Sequence, residues 1–202
     1  VIWVEDGAYQ HYTSFNYSCD MIDSLFGGET SASTGLYNYT LGRGADIITT
    51  LNSYGFTDPV QWLCALIVPL SRFTRYKLML FINLYLIGAA FIFYCFATNK
   101  KKIWSVLAGA VTYTFSGVIL CMFMRHPNYI NWAYFLPLLL AGYELMRRKR
   151  RYLPLVLFVC ANAIVSFYTF YMNMILLIIY IVINSAVLII TKIGRASCRE
   201  RV

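Results

Sequence analysis

Charge is scarce in this sequence. Asp, Glu, Lys and Arg make up 13% of its 202 residues, while hydrophobic residues make up 59%. That balance excludes an ordinary soluble domain, in which about a quarter of residues are charged. Paired cysteines are lacking too. Cys19, Cys64, Cys95, Cys121, Cys160 and Cys198 stand singly, without a C-x-x-C, and read as small core residues, excluding a disulfide framework or a thiolate metal site. A continuous basic face is also missing, although the net charge is +8. The cations gather in Lys100-Lys101-Lys102 and Arg147-Arg148-Lys149-Arg150-Arg151, two short clusters between apolar segments. Such clusters mark cytoplasmic loops, so they argue for a bilayer and against a nucleic acid as the partner.

What is abundant is apolar sequence in long runs, and these read as membrane helices. The acids are segregated from them: Glu5, Asp6, Asp20, Asp23, Glu29, Asp46 and Asp58 all precede the first complete membrane helix. The chain starts with Val1-Ile2-Trp3-Val4, which reads as the cut-off end of a first membrane helix, and Glu5-Asp6 follow directly. Ala8, Tyr12, Phe15, Cys19, Ile22 and Phe26 then recur at spacings of four and three. They place an apolar stripe on one face of a helix over residues 7–26, with His11, Asn16, Asp20 and Asp23 elsewhere. Asp6 is the expected N-cap and Gly27-Gly28 the expected stop. The polar content lays this helix along the membrane surface.

Residues 29–44 read as loop, with Arg43 between Gly42 and Gly44, where the backbone can approach a ligand. A short helix is expected over 46–53. Asp58-Pro59 should open another over 59–68, too short to cross and closed by Pro69. Membrane helices follow at 76–97, 103–123 and 130–146. The apolar run 153–190, at about 1.5 Å per residue, would extend roughly 57 Å, nearly twice the hydrocarbon thickness. It is therefore expected to be two helices, 153–168 and 171–191, turning at the aromatic stretch from Ser166 to Tyr171. The expected organisation is an all-α membrane protein. Residues 1–75 would hold the end of the first helix and an extracytoplasmic loop of amphipathic interfacial helices, and 76–192 a polytopic bundle. Residues 193–202 break the pattern, resemble translated sequencing-adaptor sequence, and are set aside as non-native. Both basic clusters then fall inside; the acidic front, Arg125-His126 and the aromatic turn fall outside.

Several segments in order carry a family resemblance: Glu5-Asp6-Gly7 with Gln10 and Tyr12; Gly42-Arg43-Gly44-Ala45-Asp46; Tyr113-Thr114-Phe115-Ser116-Gly117; Arg125-His126-Pro127; Leu136-Pro137 through Tyr143-Glu144; and Phe167-Tyr168-Thr169-Phe170-Tyr171-Met172. Together they resemble the YfhO family of bacterial membrane proteins. That family is similar to the GT-C glycosyltransferases, polytopic enzymes that use polyprenyl-phosphate sugars. The resemblance implies the bacterial cytoplasmic membrane and a cell-envelope acceptor of teichoic-acid type. It also implies an essential acid in the first extracytoplasmic loop, a position held here by Asp6 with Glu5 beside it.

Such transfer needs a base for the acceptor hydroxyl and cationic groups for the leaving phosphate. Asp6 and Glu5 are the candidate catalytic pair. Adjacent carboxylates raise each other's pKa, or share a divalent cation. Arg125, His126 and Arg43 are the candidate donor-binding residues, since Arg suits bidentate phosphate contact. Two other classes stay open at this point. A lipid-linked-sugar flippase or transporter would more often carry charges within its spans, and a membrane scaffold would need no acid at position 6.

Overall fold

The computed structural model describes residues 6–26, 37–39, 44–100 and 102–199. Glu5, Arg43, Lys101 and the Gly27-Gly28 stop lie outside them. The described chain is helical apart from one short antiparallel pairing, in which β1 (Tyr37–Asn38) lies beside β2 (Ala45–Asp46). This is an all-α membrane protein.

The front of the chain opens with a π-helical turn, Gly7–Tyr12, continuing into α1, Thr13–Leu25. Asp6 is already helical in φ and ψ and makes no capping bond, contrary to the expectation for it. The apolar stripe is corrected as well. Phe15, Cys19 and Ile22 are buried, but Phe26 is 75% exposed, and the face continues backward through His11 and Gly7. A π turn takes about one more residue than an α turn, so the buried face reaches Gly7 where an ideal helix would present Ala8, while Tyr12 still packs against Tyr76.

Two short helices follow, each capped by an aspartate. Asp46 caps α2 (Ile47–Leu51) through the Thr49 N–H, and Asp58 caps α3 (Pro59–Ala65) through the Val60 N–H at 2.8 Å. Burial pushes the Asp58 carboxyl up to about 6. Helix α3 ends three residues before the expected 68, in a turn ahead of Pro69.

The long helix α4, Arg72–Ala97, is the spine, packing against α3, α5 and α7. Its first half carries Tyr76, Met79 and Leu80, which bury Phe15, Cys19 and Ile22 of α1 with Val60, Cys64 and Ala65 of α3. Its second half carries Ile87 and Ala90 against Ile119, Ile130, Ala133 and Val165. Arg72 reaches Asp20 at 2.6 Å and Asp23 at 2.7 Å, tying α1 to the start of α4. These half-exposed ion pairs contribute about 0–1 kcal/mol each. Burial of Phe15 and Ile22 contributes roughly 1.5–3 kcal/mol each relative to water. Apolar contact therefore seats the front helix, and the ion pairs set its register.

The single helix expected over 103–123 is instead two, α5 (Ile103–Thr114) and α6 (Gly117–Arg125), bent by 43° at the break. Ser116 is extended at φ −64° and ψ 146°, and the Ser116-Gly117 pair is a typical kink sequence. A 3-10 turn, Pro127–Tyr129, leads into α7 (Trp132–Lys149), which keeps Pro137 inside it. Helix α8 (Leu153–Val165) gives way at Ser166 alone to α9 (Phe167–Arg199), which runs on through the segment set aside above. The aromatics from Phe167 to Tyr171 thus form the first turns of a helix, where a loop was expected. The break is held by the front loop: Thr57 Oγ1 donates to the Val165 carbonyl at 2.8 Å, satisfying an orphan group at the end of α8.

Helix α4 and the stretch Phe167–Ile190 are long and apolar enough to cross a membrane, and α5 with α6 qualifies as one bent span. Helix α8, at 13 residues, is only about 20 Å long.

At the far end of the spine, Glu144 is 1% exposed and accepts from Arg147 at 2.8 Å, from Arg148, and from the Tyr180 hydroxyl at 3.0 Å. The acidic front, the turn after α6 and the α8–α9 break gather at one end of the bundle, with the basic clusters at the other. In intact cells lacking the exposed Cys121 and Cys160, a membrane-impermeant thiol reagent should modify Tyr168→Cys and spare Tyr152→Cys. The reverse pattern would invert the orientation read from the basic loops.

Candidate functional site

The two histidines of the chain meet at the front end of the bundle. His11, on the π turn, is fully buried, and its Nε2 lies 3.4 Å from Nδ1 of His126. The other face of His126 turns to Asp6: Nε2 stands 3.8 Å from the Asp6 carboxylate. That separation is an electrostatic contact, longer than a hydrogen bond. Asp6 also accepts from Gln10 Nε2 at 3.1 Å, one helical turn on. Tyr54 and Tyr129 pack edge-on against His11, with ring centroids at 5.8 and 5.4 Å. Asn128 bonds the Tyr54 carbonyl and so fixes the 3-10 turn against the front loop.

This arrangement assigns protons consistently. With His126 carrying its proton on Nε2 toward Asp6, its Nδ1 accepts from the His11 Nε2–H. His11 Nδ1, which is buried without a partner, is then a bare acceptor, the cheaper kind of unpaired group. The result is a carboxylate–imidazole–imidazole row able to take up a proton at its exposed end. The Asp6 and His126 side chains are 43% and 33% exposed, whereas the third member is sealed.

Beside this row opens a cavity of about 570 Å³ between α6, α7 and α9. His126, Tyr129, Thr169 and Asn173 give it polar points, and Met122, Trp132, Met172 and Leu176 make its walls apolar. This is the composition of a site for a ligand with one polar and one greasy part.

Of the residues singled out from sequence, Asp6 and His126 come together across 120 positions of chain. Arg125 is exposed at the last turn of α6, beside His126 but not among the cavity-lining residues. Glu5 and Arg43 lie outside the described residues. Among the described residues, no three His, Cys, Asp or Glu side chains converge as a metal-holding group. Sequence reasoning missed His11, which was assigned to the polar side of the helix. The signal available for it was its place four residues before Phe15 and eight before Cys19, on the face that is buried.

Burial, reinforced by neighbouring His126 and opposed by Asp6, lowers the His11 imidazole from 6.5 to about 4. The folded protein keeps His11 neutral between those values, where a released chain would bind a proton. Stability from this group is complete above pH 6.5 and is lost as pH falls toward 4. At about 1.4 kcal/mol per pH unit the loss amounts to at most roughly 3 kcal/mol. His11→Gln should therefore lose less thermal stability than the parent between neutral pH and pH 4.5, and equal losses would contradict the assignment.

The family description "Bacterial membrane protein YfhO" matches residues 20–199, a stretch that includes Arg125 and His126 and begins after Asp6 and His11. No curated protein and no solved structure matches the chain. With a match over most of its length, carried on an all-α fold with helices able to cross a bilayer, this chain belongs to the YfhO family of bacterial membrane proteins.

Proposed function

We propose that the protein is a membrane glycosyltransferase that moves a sugar from a polyprenyl-phosphate donor to an extracytoplasmic cell-envelope acceptor of teichoic-acid type. The observation that supports this reading is the contact of Asp6 with His126, whose ring stands at the mouth of a largely apolar cavity. An acceptor hydroxyl set at this mouth would give its proton to the Asp6–His126 pair as its oxygen bonds to the sugar's anomeric carbon. The bond from that carbon to the phosphate oxygen breaks, and the lipid phosphate leaves with the electron pair. The greasy walls suit the first units of the donor's chain. Arg125, next to His126 in the chain, and Arg43 are the proposed partners of the departing phosphate.

A divalent cation held by Glu5 and Asp6 would add positive charge for that phosphate. The described residues do not by themselves complete such a site, and the proton transfer from the acceptor runs through Asp6 and His126 alone.

The test is sugar transfer from a radiolabelled polyprenyl-phosphate donor by the full-length protein at matched membrane levels. Asp6→Asn keeps the shape and the Gln10 contact but removes the base, and should slow transfer by about 10²–10⁴-fold. His126→Asn should slow it as well, with little change in membrane level. Near-normal turnover by Asp6→Asn would remove the carboxylate from the chemistry, and no transfer by the parent protein would leave a transporter or scaffold.

A further inference from the structure

The opposite end of the spine has a second cavity, of about 420 Å³, between the end of α4 and the start of α5. Its mouth carries Asn99, Lys100, Lys102 and Ser105; its inner wall is Phe91, Cys95, Val106 and Gly109. The turn that makes the mouth is specific. Asn99 is left-handed at φ 62°, a conformation Asn tolerates better than most residues, and the Lys100 N–H returns to the Cys95 carbonyl at 2.9 Å. This closes α4 and brings Lys100 to the mouth. Gly109 keeps the inner wall open: a Cβ there would stand 3.0 Å from the Phe91 ring.

The charges at this mouth are uncompensated. Between Asp58 and Glu144 the sequence contains no acid, and among the described residues neither lysine pairs with a carboxylate. The buried carboxylate at this end of the bundle, Glu144, is already taken by Arg147 and Arg148. A purely topological role requires positive charge in the loop but no cavity beneath it. Here two ammonium groups, an amide and a hydroxyl overhang a slot that becomes apolar within one helical turn. Basic pockets of this kind between membrane helices hold anionic lipid headgroups.

We propose that this slot binds an anionic phospholipid of the leaflet on the basic side, its phosphate at Lys100 and Lys102 and its upper chain along Phe91, Val106 and Gly109. The site lies at the other end of α4 from Asp6 and His126 and does not depend on what reaction occurs there.

The test uses the protein purified in mild detergent, with a fluorescently tailed phosphatidylglycerol as probe, phosphatidylcholine bearing the same tail as control, and inorganic phosphate as competitor. Two variants separate charge from shape. Lys100→Gln with Lys102→Gln removes the cations, and Ser105→Phe fills the slot without altering charge. All three positions are exposed, so the fold should survive, and unchanged melting temperatures would verify it. Both variants should weaken phosphatidylglycerol binding by about tenfold or more, while the control lipid binds poorly throughout. Unchanged binding in the double lysine variant would overturn the proposal. So would unchanged binding in Ser105→Phe, since the lysines would then act only as surface charge. Inorganic phosphate binding as tightly as the lipid would also overturn it, by making the slot a free-phosphate site.

Discussion

An apolar helix face seated against α3 and α4 determines where the polar front of this protein lies. Phe15, Cys19 and Ile22 fill the space beside Tyr76, Met79 and Leu80, and the π turn ahead of them carries His11 against Tyr54, Tyr129 and His126. Without that packing nothing would hold Asp6 near His126, because a contact of 3.8 Å between partly exposed groups is far too weak to order a chain end. The chemistry of the front is thus a consequence of hydrophobic burial a few residues further along. The loop after α2 extends the same logic, fastening the α8–α9 break through Thr57 and bringing Tyr168 against Tyr129, with ring centroids at 6.1 Å.

The two ends of the bundle lie far apart: helix α4 has 26 residues, about 39 Å at 1.5 Å per residue. Each end is organised by its own neighbours: acid and imidazole at one, a carboxylate clamped by two arginines and a tyrosine at the other. The clamp also ties three helices together, since Tyr180 of α9 bridges Glu144 of α7 to Tyr94 of α4, 3.3 Å away.

Much of the fold was legible because membrane helices announce themselves by composition. The run that became α4 is apolar from Leu78 to Ala97 apart from Asn83, and the run after residue 153 was too long to be one span. Asp58 was read as opening its helix, whereas Asp46, read as the first residue of the helix 46–53, is its cap. Helix breaks were legible only where length forced one, as at Ser166. Periodicity continues smoothly through Ser116-Gly117, and only three-dimensional packing reveals the 43° bend. At the site, Asp6 and His126 were named separately, yet their pairing depends on a contact 120 residues apart that no local pattern encodes. His11 was misplaced because a polar residue was read as facing water, although it stands four residues before Phe15 on the buried face.

The front helix delivers its buried face, and with it Asp6, to the turn after α6, and cross-linking in membranes tests this most directly. In a background without exposed native cysteines, a short thiol-to-thiol reagent should join cysteines at positions 11 and 126. It should leave cysteines at 9 and 126 unjoined, because Tyr9 is 74% exposed and faces outward. Equal joining of both pairs, or none for 11 with 126, would mean that the front helix is not seated where the site requires it.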